Sequence, residues 1–130
     1  MIDHVSTYTT KFEAAQKFYD QSLAPLGYGR AMEMVATWDG EFPNRRMCAY
    51  GPPKRPTLWL IEVKEAASPR HIAFQAPSRE SVKKFFDAAL AAGGRDNGEP
   101  GPREQYHPTY FGAFVLDPDD NNVEAVTHDA

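Results

Sequence analysis

The sequence predicts an α+β fold assembled from two copies of one β-α-β-β-β unit. Segments rich in β-forming residues alternate with segments whose apolar residues recur at helical spacing. This pattern starts again near the middle of the 130-residue chain. Units of this size bury too little surface alone, so the two copies are expected to share a core. Four pairs of similar residues recur 67 positions apart: His4 and His71, Leu23 and Leu90, Gly27 and Gly94, and Met47 and Phe114.

The first copy begins with a β-rich segment, 2–9, that predicts a strand. Thr10 and Glu13 have the spacing of a capping box, which predicts that a helix begins there. Pro25 and Gly27 end that helix. Three further strands are predicted at 28–38, 46–50 and 57–63, separated by turn-rich stretches. The apolar face of the helix comprises Phe12, Ala15, Phe18, Tyr19 and Leu23.

The second copy repeats this order after a joint at Ser68-Pro69. A strand is predicted at 71–75, and Ser78 is placed to cap a second helix. The segment 97–102 is rich in turn residues, and strands are predicted at 110–116 and 122–128. We therefore expect one domain over 1–130, with modules at about 1–67 and 68–130. The apolar stripe of the second helix comprises Val82, Phe85, Phe86, Ala89 and Leu90.

Composition argues against several classes of function. The chain is 42% hydrophobic and 25% charged, with a formal net charge of −4. It has no basic cluster of the kind that binds nucleic acid or an anionic membrane surface. Cys48 is the only cysteine, and the first residues lack the pattern of a signal peptide. We expect a cytoplasmic protein that binds neither nucleic acid nor membrane.

Two histidines occupy the same position in the two units. Alternate residues of a strand share a face, so His4 lies on the side of Ser6 and Tyr8, and His71 on the side of Ala73. If the units pair symmetrically, the two imidazoles converge. Each ring then is either a metal ligand or a partly buried group satisfied by a hydrogen bond.

Glu124 is the third candidate ligand. It lies in a strand, Asn122-Val123-Glu124-Ala125-Val126, whose other residues suit a protein interior. A buried carboxylate must be paired or coordinated, whereas at an edge strand it would simply face water. Two histidines and one carboxylate suit a catalytic zinc, nickel, manganese or ferrous ion.

The segment between 103 and 110 is dense in groups that can contact a ligand. Arg103 can pair with a substrate carboxylate, and Tyr110 is a second candidate for substrate binding. Tyr106 and His107 are candidates for acid-base catalysis. The alternative is a polar surface loop, where such residues also collect. The sequence has no Gly-x-Ser-x-Gly elbow, phosphate-binding glycine loop or Cys-x-x-Cys pair.

Several of these segments together resemble the vicinal-oxygen-chelate superfamily of glyoxalases, extradiol dioxygenases and bleomycin-resistance proteins. The resemblance implies a U-shaped mixed sheet around a central cleft, a divalent metal held by His4, His71 and Glu124, and a small substrate with adjacent oxygens. It also implies a homodimer. The similar segments are His4-Val5, Phe18-Tyr19, Leu26-Gly27, His71-Ile72-Ala73-Phe74, and the run from Phe114 through Asp117-Pro118-Asp119 to Glu124.

One departure from the family pattern bears on function. Glyoxalase I-like members use a fourth ligand, an acid on the last strand of the first unit. The offset of 67 from Glu124 leads to Thr57, or to Leu58 if the register slips by one residue. Glu62, the only acid in that strand, lies four or five positions after the expected place. A three-ligand site is therefore expected, which leaves three functions open: a metal-dependent lyase, isomerase or dioxygenase; a metal-free protein that sequesters a small molecule; and a domain with only an interaction role.

Overall fold

The computed structural model describes residues 1–129. In this part of the chain, two modules follow one another with the same order of elements, as predicted. Neither helix is long and apolar enough to cross a membrane. The first module contains β1 (Val5–Thr9), α1 (Phe12–Leu23), β2 (Gly29–Val35), β3 (Arg46–Gly51) and β4 (Leu58–Glu62); the second contains β5 (His71–Gln75), α2 (Arg79–Ala91), β6 (Arg95–Pro102), β7 (Phe111–Leu116) and β8 (Asn122–Thr127).

Each module forms its own four-stranded mixed sheet. The strand orders are β1-β4-β3-β2 and β5-β8-β7-β6, so the two topologies are identical. The first strand of each module pairs in parallel with the last, and the other pairs are antiparallel. The predicted α+β class and the tandem β-α-β-β-β modules are confirmed.

The two helices pack against each other and lie on one face of each sheet. A single hydrophobic cluster contains residues of both helices and both sheets, among them Tyr19, Leu60, Phe85 and Val123. We call the opposite side of each sheet its open face. Strand alternation places on the open face of the first sheet Ser6, Tyr8, Met34, Met47, Trp59 and Ile61, and on that of the second His71, Ala73, Gly112, Phe114, Asn122 and Glu124.

The two helices begin differently. The predicted capping box at Thr10 and Glu13 is wrong: the N-cap of α1 is Lys11, with no side-chain cap hydrogen bond. Burial of one face of α1 in the shared core stabilises this helix without a cap. The cap of α2 is confirmed, because Ser78 Oγ accepts from the backbone N–H of Ser81 and Ser81 Oγ accepts from that of Ser78.

The segment 97–102, predicted as turns, belongs to strand β6. This strand lies at the edge of its sheet and pairs with β7 with register shifts on either side of Gly98. Gly98 has φ of 151°, a backbone conformation that favours glycine. Glycine and proline are tolerated here because a strand at the edge of a sheet can contain bulges, and because the missing N–H group of a proline leaves no neighbouring strand without a donor on the outer side.

The turn between β7 and β8 fastens the second module to the first. Asp117 Oδ1 accepts from the backbone N–H groups of Asp119 and Asn121 at 2.8 and 2.9 Å. Its Oδ2 accepts from the Tyr19 phenol of α1 at 2.5 Å. The side-chain amide of Asn121 reaches Thr7 of β1 at 3.3 Å. This turn, part of the run from Phe114 to Glu124 that resembles the family, therefore has a structural role.

Candidate functional site

A buried carboxylate and an exposed imidazole meet on the open face of the second sheet. Glu124 lies in the middle of β8, between β5 and β7, and is 1% exposed. His71 Nε2 lies 2.8 Å from Glu124 Oε1. An ionised carboxylate only accepts hydrogen bonds, so Nε2 carries the proton of this contact. The carboxylate orients the imidazole, and the His71 side chain remains 56% exposed.

The second oxygen of Glu124 is bound by Tyr110, which directly precedes β7. The Tyr110 phenol donates to Glu124 Oε2. The rings of Tyr106 and His128 contact the Tyr110 ring edge-on, with centroids 5.1 and 5.2 Å away. Burial, then the hydrogen bond and charge of Glu124, raise the pKa of Tyr110. The phenol therefore stays protonated at neutral pH and remains a donor.

The guanidinium of Arg103 is engaged by backbone carbonyls of β6. Nη1 donates to the carbonyl oxygens of Gly101 and Pro102 at 2.9 and 3.3 Å, and Nη2 donates to that of Glu99 at 2.7 Å. The group also lies 5.4 Å from the ring centroid of Phe114. These contacts stabilise the irregular edge strand β6. The role of Arg103 in pairing with a substrate carboxylate stays a prediction.

Tyr106 and His107 lie at the rim of the site, in the loop between β6 and β7. Tyr106 is 62% exposed. His107 Nδ1 accepts from the backbone N–H of Thr109 at 3.3 Å, which leaves the ring proton on Nε2. The His107 ring contacts His128 edge-on, 5.6 Å away. Their assignment to acid-base catalysis stays a prediction.

His128 belongs to this cluster, and the sequence analysis did not single it out. It follows β8 directly, and its ring contacts both His107 and Tyr110. Strand alternation would have identified it: if β8 continues by one residue, positions 124, 126 and 128 lie on the same face of the strand.

His4 lies apart from His71 and Glu124 within one chain. It precedes β1 in the first sheet, is exposed, and has its Nδ1 2.7 Å from Oδ1 of the adjacent Asp3. Over residues 1–129, no group of three or more histidine, cysteine, aspartate or glutamate side chains is placed to hold a metal ion. One chain thus brings together two of the three predicted ligands.

The position equivalent to Glu124 in the first sheet is Trp59. Glu124 pairs with Ala73, and Ser6, which lies 67 positions before Ala73, pairs with Trp59. The prediction of Thr57 or Leu58 as the equivalent residue is therefore wrong. The open face of the first sheet presents an indole where the second presents a carboxylate.

The offset between the modules changes along the chain. Phe114 pairs with Glu124 and Ala49 pairs with Trp59, so Phe114 corresponds to Ala49 and not to Met47. The offset falls from 67 for Ser6 and Ala73 to 65 for Ala49 and Phe114, so the first module has two more residues between its first and third strands. The match between Met47 and Phe114 was a coincidence.

Glu62 binds Arg46 at the end of the first sheet. Its Oε2 lies 2.8 Å from Arg46 Nη2, and its Oε1 accepts from the Arg46 backbone N–H at 3.0 Å. The hydrogen bond from the Arg46 side chain is the main cause that lowers the pKa of Glu62. Glu62 pairs with Thr9, which faces the helices, so its strand position is not on the open face.

Solved structures with the same fold cover nearly the whole chain. A glyoxalase/bleomycin resistance protein from Albidiferax ferrireducens T118 has a TM-score of 0.75 and 26% identity, covering 97% of both chains. A glyoxalase family protein from Enterococcus faecalis has a TM-score of 0.64 and 20% identity, covering 98% of this chain and 97% of that one. The E144Q mutant of glyoxalase I from Zea mays has a TM-score of 0.69 and 20% identity, covering 96% of this chain and 46% of that one.

The sequence also matches a family model over almost its full length. No curated protein matches the chain significantly. The model of the Glyoxalase/Bleomycin resistance protein/Dioxygenase superfamily matches residues 1–125, which include the first module and the second as far as the middle of β8, with Glu124. The fold, the repeated topology and this match agree, and the chain belongs to the glyoxalase/bleomycin resistance protein/dioxygenase superfamily.

Proposed function

We propose that this protein is a divalent-metal-dependent enzyme that acts on a small substrate with adjacent oxygen atoms. A lyase or isomerase reaction is the first choice, and a dioxygenase reaction is the second. The observation that carries the proposal is the contact between His71 Nε2 and Glu124 Oε1 on the open face of the second sheet. A carboxylate buried under an exposed imidazole suits a site that must hold an ion and still admit a ligand.

The geometry of this pair fits a metal ion in place of the shared proton. Nitrogen and oxygen ligands lie about 2.0–2.2 Å from zinc in a tetrahedral site, so an ion here would hold Nε2 and Oε1 farther apart than their present 2.8 Å. The His71 side chain, 56% exposed, has room to rotate by that amount. Zinc, nickel, manganese and ferrous iron all accept this ligand pair.

His4 is the proposed third ligand, supplied by a second copy of the chain. The helices cover the inner face of each sheet, so the two open faces of one chain point away from its common core. Strands β1 and β5 lie at the edges of their sheets. A homodimer that places the open face of the first sheet of one copy against that of the second sheet of the other would bring His4 to His71.

The remaining residues have distinct proposed roles around the substrate. When bound, the ion supplies Lewis acidity, which polarises a substrate oxygen. Tyr106 and His107 are the proposed proton donors and acceptors, because both lie at the exposed rim. Arg103 and Tyr110 are the proposed contacts to the substrate. Trp59 provides an apolar surface on the open face of the first sheet.

A metal-free binding protein is the alternative function. It is favoured by one specific observation: both carboxylate oxygens of Glu124 already have a hydrogen-bond partner within the chain, His71 on one and Tyr110 on the other. A buried carboxylate satisfied in this way needs no ion to be stable. The open face would then bind and sequester a small molecule.

Thermal melting with added metal tests the proposal. Protein purified without chelator is melted with Mn²⁺, Ni²⁺, Zn²⁺ or anaerobic Fe²⁺. An ion that binds only the folded state stabilises it by about 2.7 kcal/mol at a hundredfold excess over Kd. His71→Ala and Glu124→Gln should abolish the shift in melting temperature. Glu80→Gln, an exposed carboxylate of α2, is the matched control and should keep it.

The outcomes separate the two functions. A shift with at least one metal that disappears in both site variants supports the enzyme. If no metal shifts the wild type, the metal-free binding protein becomes the better account. If a shift survives both substitutions, the ion binds elsewhere and the proposed site is incorrect.

A further inference from the structure

Tyr110, proposed above as a contact to the substrate, also donates its phenol proton to Glu124 Oε2. We propose that Tyr110 is a positioning residue that holds Oε2 of Glu124, so that the carboxylate presents only Oε1 to a ligand. The role as a metal-ligand holder rests on the proposed function, whereas the contact itself is testable in metal-free protein.

Tyr110 has no donor left for a substrate. A phenol carries one proton, and that of Tyr110 is donated to Glu124 Oε2. A substrate could use this hydroxyl as a donor only by leaving one oxygen of a 1% exposed carboxylate without a partner. Loss of a hydrogen bond to a buried charge is more costly than loss of one between neutral groups. The contact is therefore expected to persist when a ligand binds.

The surroundings of Tyr110 fix its ring in the required place. The rings of Tyr106 and His128 both contact the Tyr110 ring edge-on. Gly112 lies beneath the contact: a Cβ atom there would lie 3.2 Å from both Glu124 Oε2 and Tyr110 Cε1. The absence of a side chain at 112 leaves the space in which phenol and carboxylate meet.

The arrangement predicts how Glu124 would bind an ion. An ion at this site would take the place of the proton on His71 Nε2, which would move to Nδ1 of the same ring, whereas the Tyr110 proton on Oε2 would remain. Glu124 would then bind the ion through Oε1 alone. Hydrogen-bond partners of metal ligands generally raise metal affinity 10–100-fold by orienting the ligand.

The first experiment measures metal affinity in full-length protein. Tyr110→Phe keeps the ring and removes only the hydroxyl. We expect its Kd for Mn²⁺ or Ni²⁺, measured by titration calorimetry, to be about 10–100-fold weaker than that of wild type. Tyr28→Phe is the matched control: its phenol donates to the backbone carbonyl of Gln75 at 2.7 Å and not to Glu124, so its loss should leave Kd unchanged within about twofold. An unchanged or tighter Kd in Tyr110→Phe overturns the proposal.

The second experiment needs no metal. A double-mutant cycle combines Tyr110→Phe with Glu124→Leu and measures the unfolding equilibrium constant in urea. If the phenol holds the carboxylate, Tyr110→Phe should raise that constant about tenfold in the wild-type background and much less beside Glu124→Leu. Equal effects in the two backgrounds overturn the proposal. Absence of any metal binding by wild type would instead reject the proposed function, and this cycle would still decide the role of Tyr110.

Discussion

The phenol of Tyr19 on α1 donates a 2.5 Å hydrogen bond to Oδ2 of Asp117, 98 positions later in the turn between β7 and β8. Both residues are buried, at 0% and 1% exposure. Burial first, and then the charge of Asp117, raise the pKa of Tyr19 well above its usual value, so the phenol remains a donor. This hydrogen bond joins the two modules outside the peptide segment that connects them.

Tyr19→Phe should destabilise the protein by about 1.5–3 kcal/mol, the usual range for a hydrogen bond to a charged group. The aromatic packing of α1 is retained in this variant, and only the donor to Asp117 is lost. Urea denaturation measures the change in the free energy of unfolding. Tyr106→Phe, which removes an exposed phenol, should change it by less than about 0.5 kcal/mol. Equal stability of the two variants would mean that the Asp117 turn does not fasten the modules.

The ion pair between Glu62 and Arg46 predicts a pH-dependent contribution to stability. Arg46 lowers the pKa of Glu62 below its ordinary value of 4.5. A group whose pKa is lowered by folding stabilises the protein above its ordinary pKa, and this stabilisation is lost as pH falls through the folded-state value. Because Arg46 is 42% exposed, the contribution is only about 1 kcal/mol.

Glu62→Gln should therefore unfold about 1 kcal/mol more easily than wild type at pH 7, with the difference shrinking as pH falls below about 4. Denaturation curves at a series of pH values measure this. Glu80→Gln is the control, since the contact between Glu80 and Lys84 is exposed and spans 3.5 Å. A difference between Glu62→Gln and wild type that is the same at pH 3 and pH 7 would contradict the assignment.

The sequence was sufficient to predict the two modules and the positions of most elements. His71–Gln75 was predicted with its observed bounds, and Ser78 caps α2 as expected. These two predictions are correct because the local sequence signals and the repeat agree with the tertiary structure. The cap of α1 and the strand β6 were missed because core burial and sheet-edge pairing override local propensities there.

The candidate site was only partly predictable. Glu124 was identified because a carboxylate in an apolar strand is conspicuous, and His71 because it repeats His4. The equivalence of Glu124 and Trp59 was missed, since a two-residue difference between the modules cannot be located without the strand register. The hairpin of β7 and β8 was predicted at nearly its observed bounds, but the contact of Tyr110 with Glu124 depends on the register between the two strands, which was not predicted.

Gly112 gives a prediction about the space inside the site. Gly112→Ala should push Tyr110 and Glu124 apart, because the new Cβ would lie 3.2 Å from each. We expect a loss of about 1–3 kcal/mol in stability and a weaker shift with metal in the melting assay. Gly29→Ala in β2 is the matched control: its Cβ would have no atom within 4 Å, so stability should stay equal or rise slightly. Equal behaviour of the two variants would show that the pair tolerates a side chain beneath it.

The proposed origin of His4 in a second copy gives a prediction about mixed dimers. If the site joins His4 of one copy to His71 of the other, His4→Ala and His71→Ala homodimers each lack a complete site. A heterodimer of the two contains one site with both substitutions and one site with neither. Mixing the variants after partial denaturation should therefore restore metal binding to about a quarter of the wild-type sites, because half of the dimers are mixed and half of their sites are intact at random assortment. Metal bound per chain, measured after desalting, checks this. Mass spectrometry verifies that the variants have exchanged. If the exchanged sample still binds no metal, His4 and His71 of different copies do not share an ion.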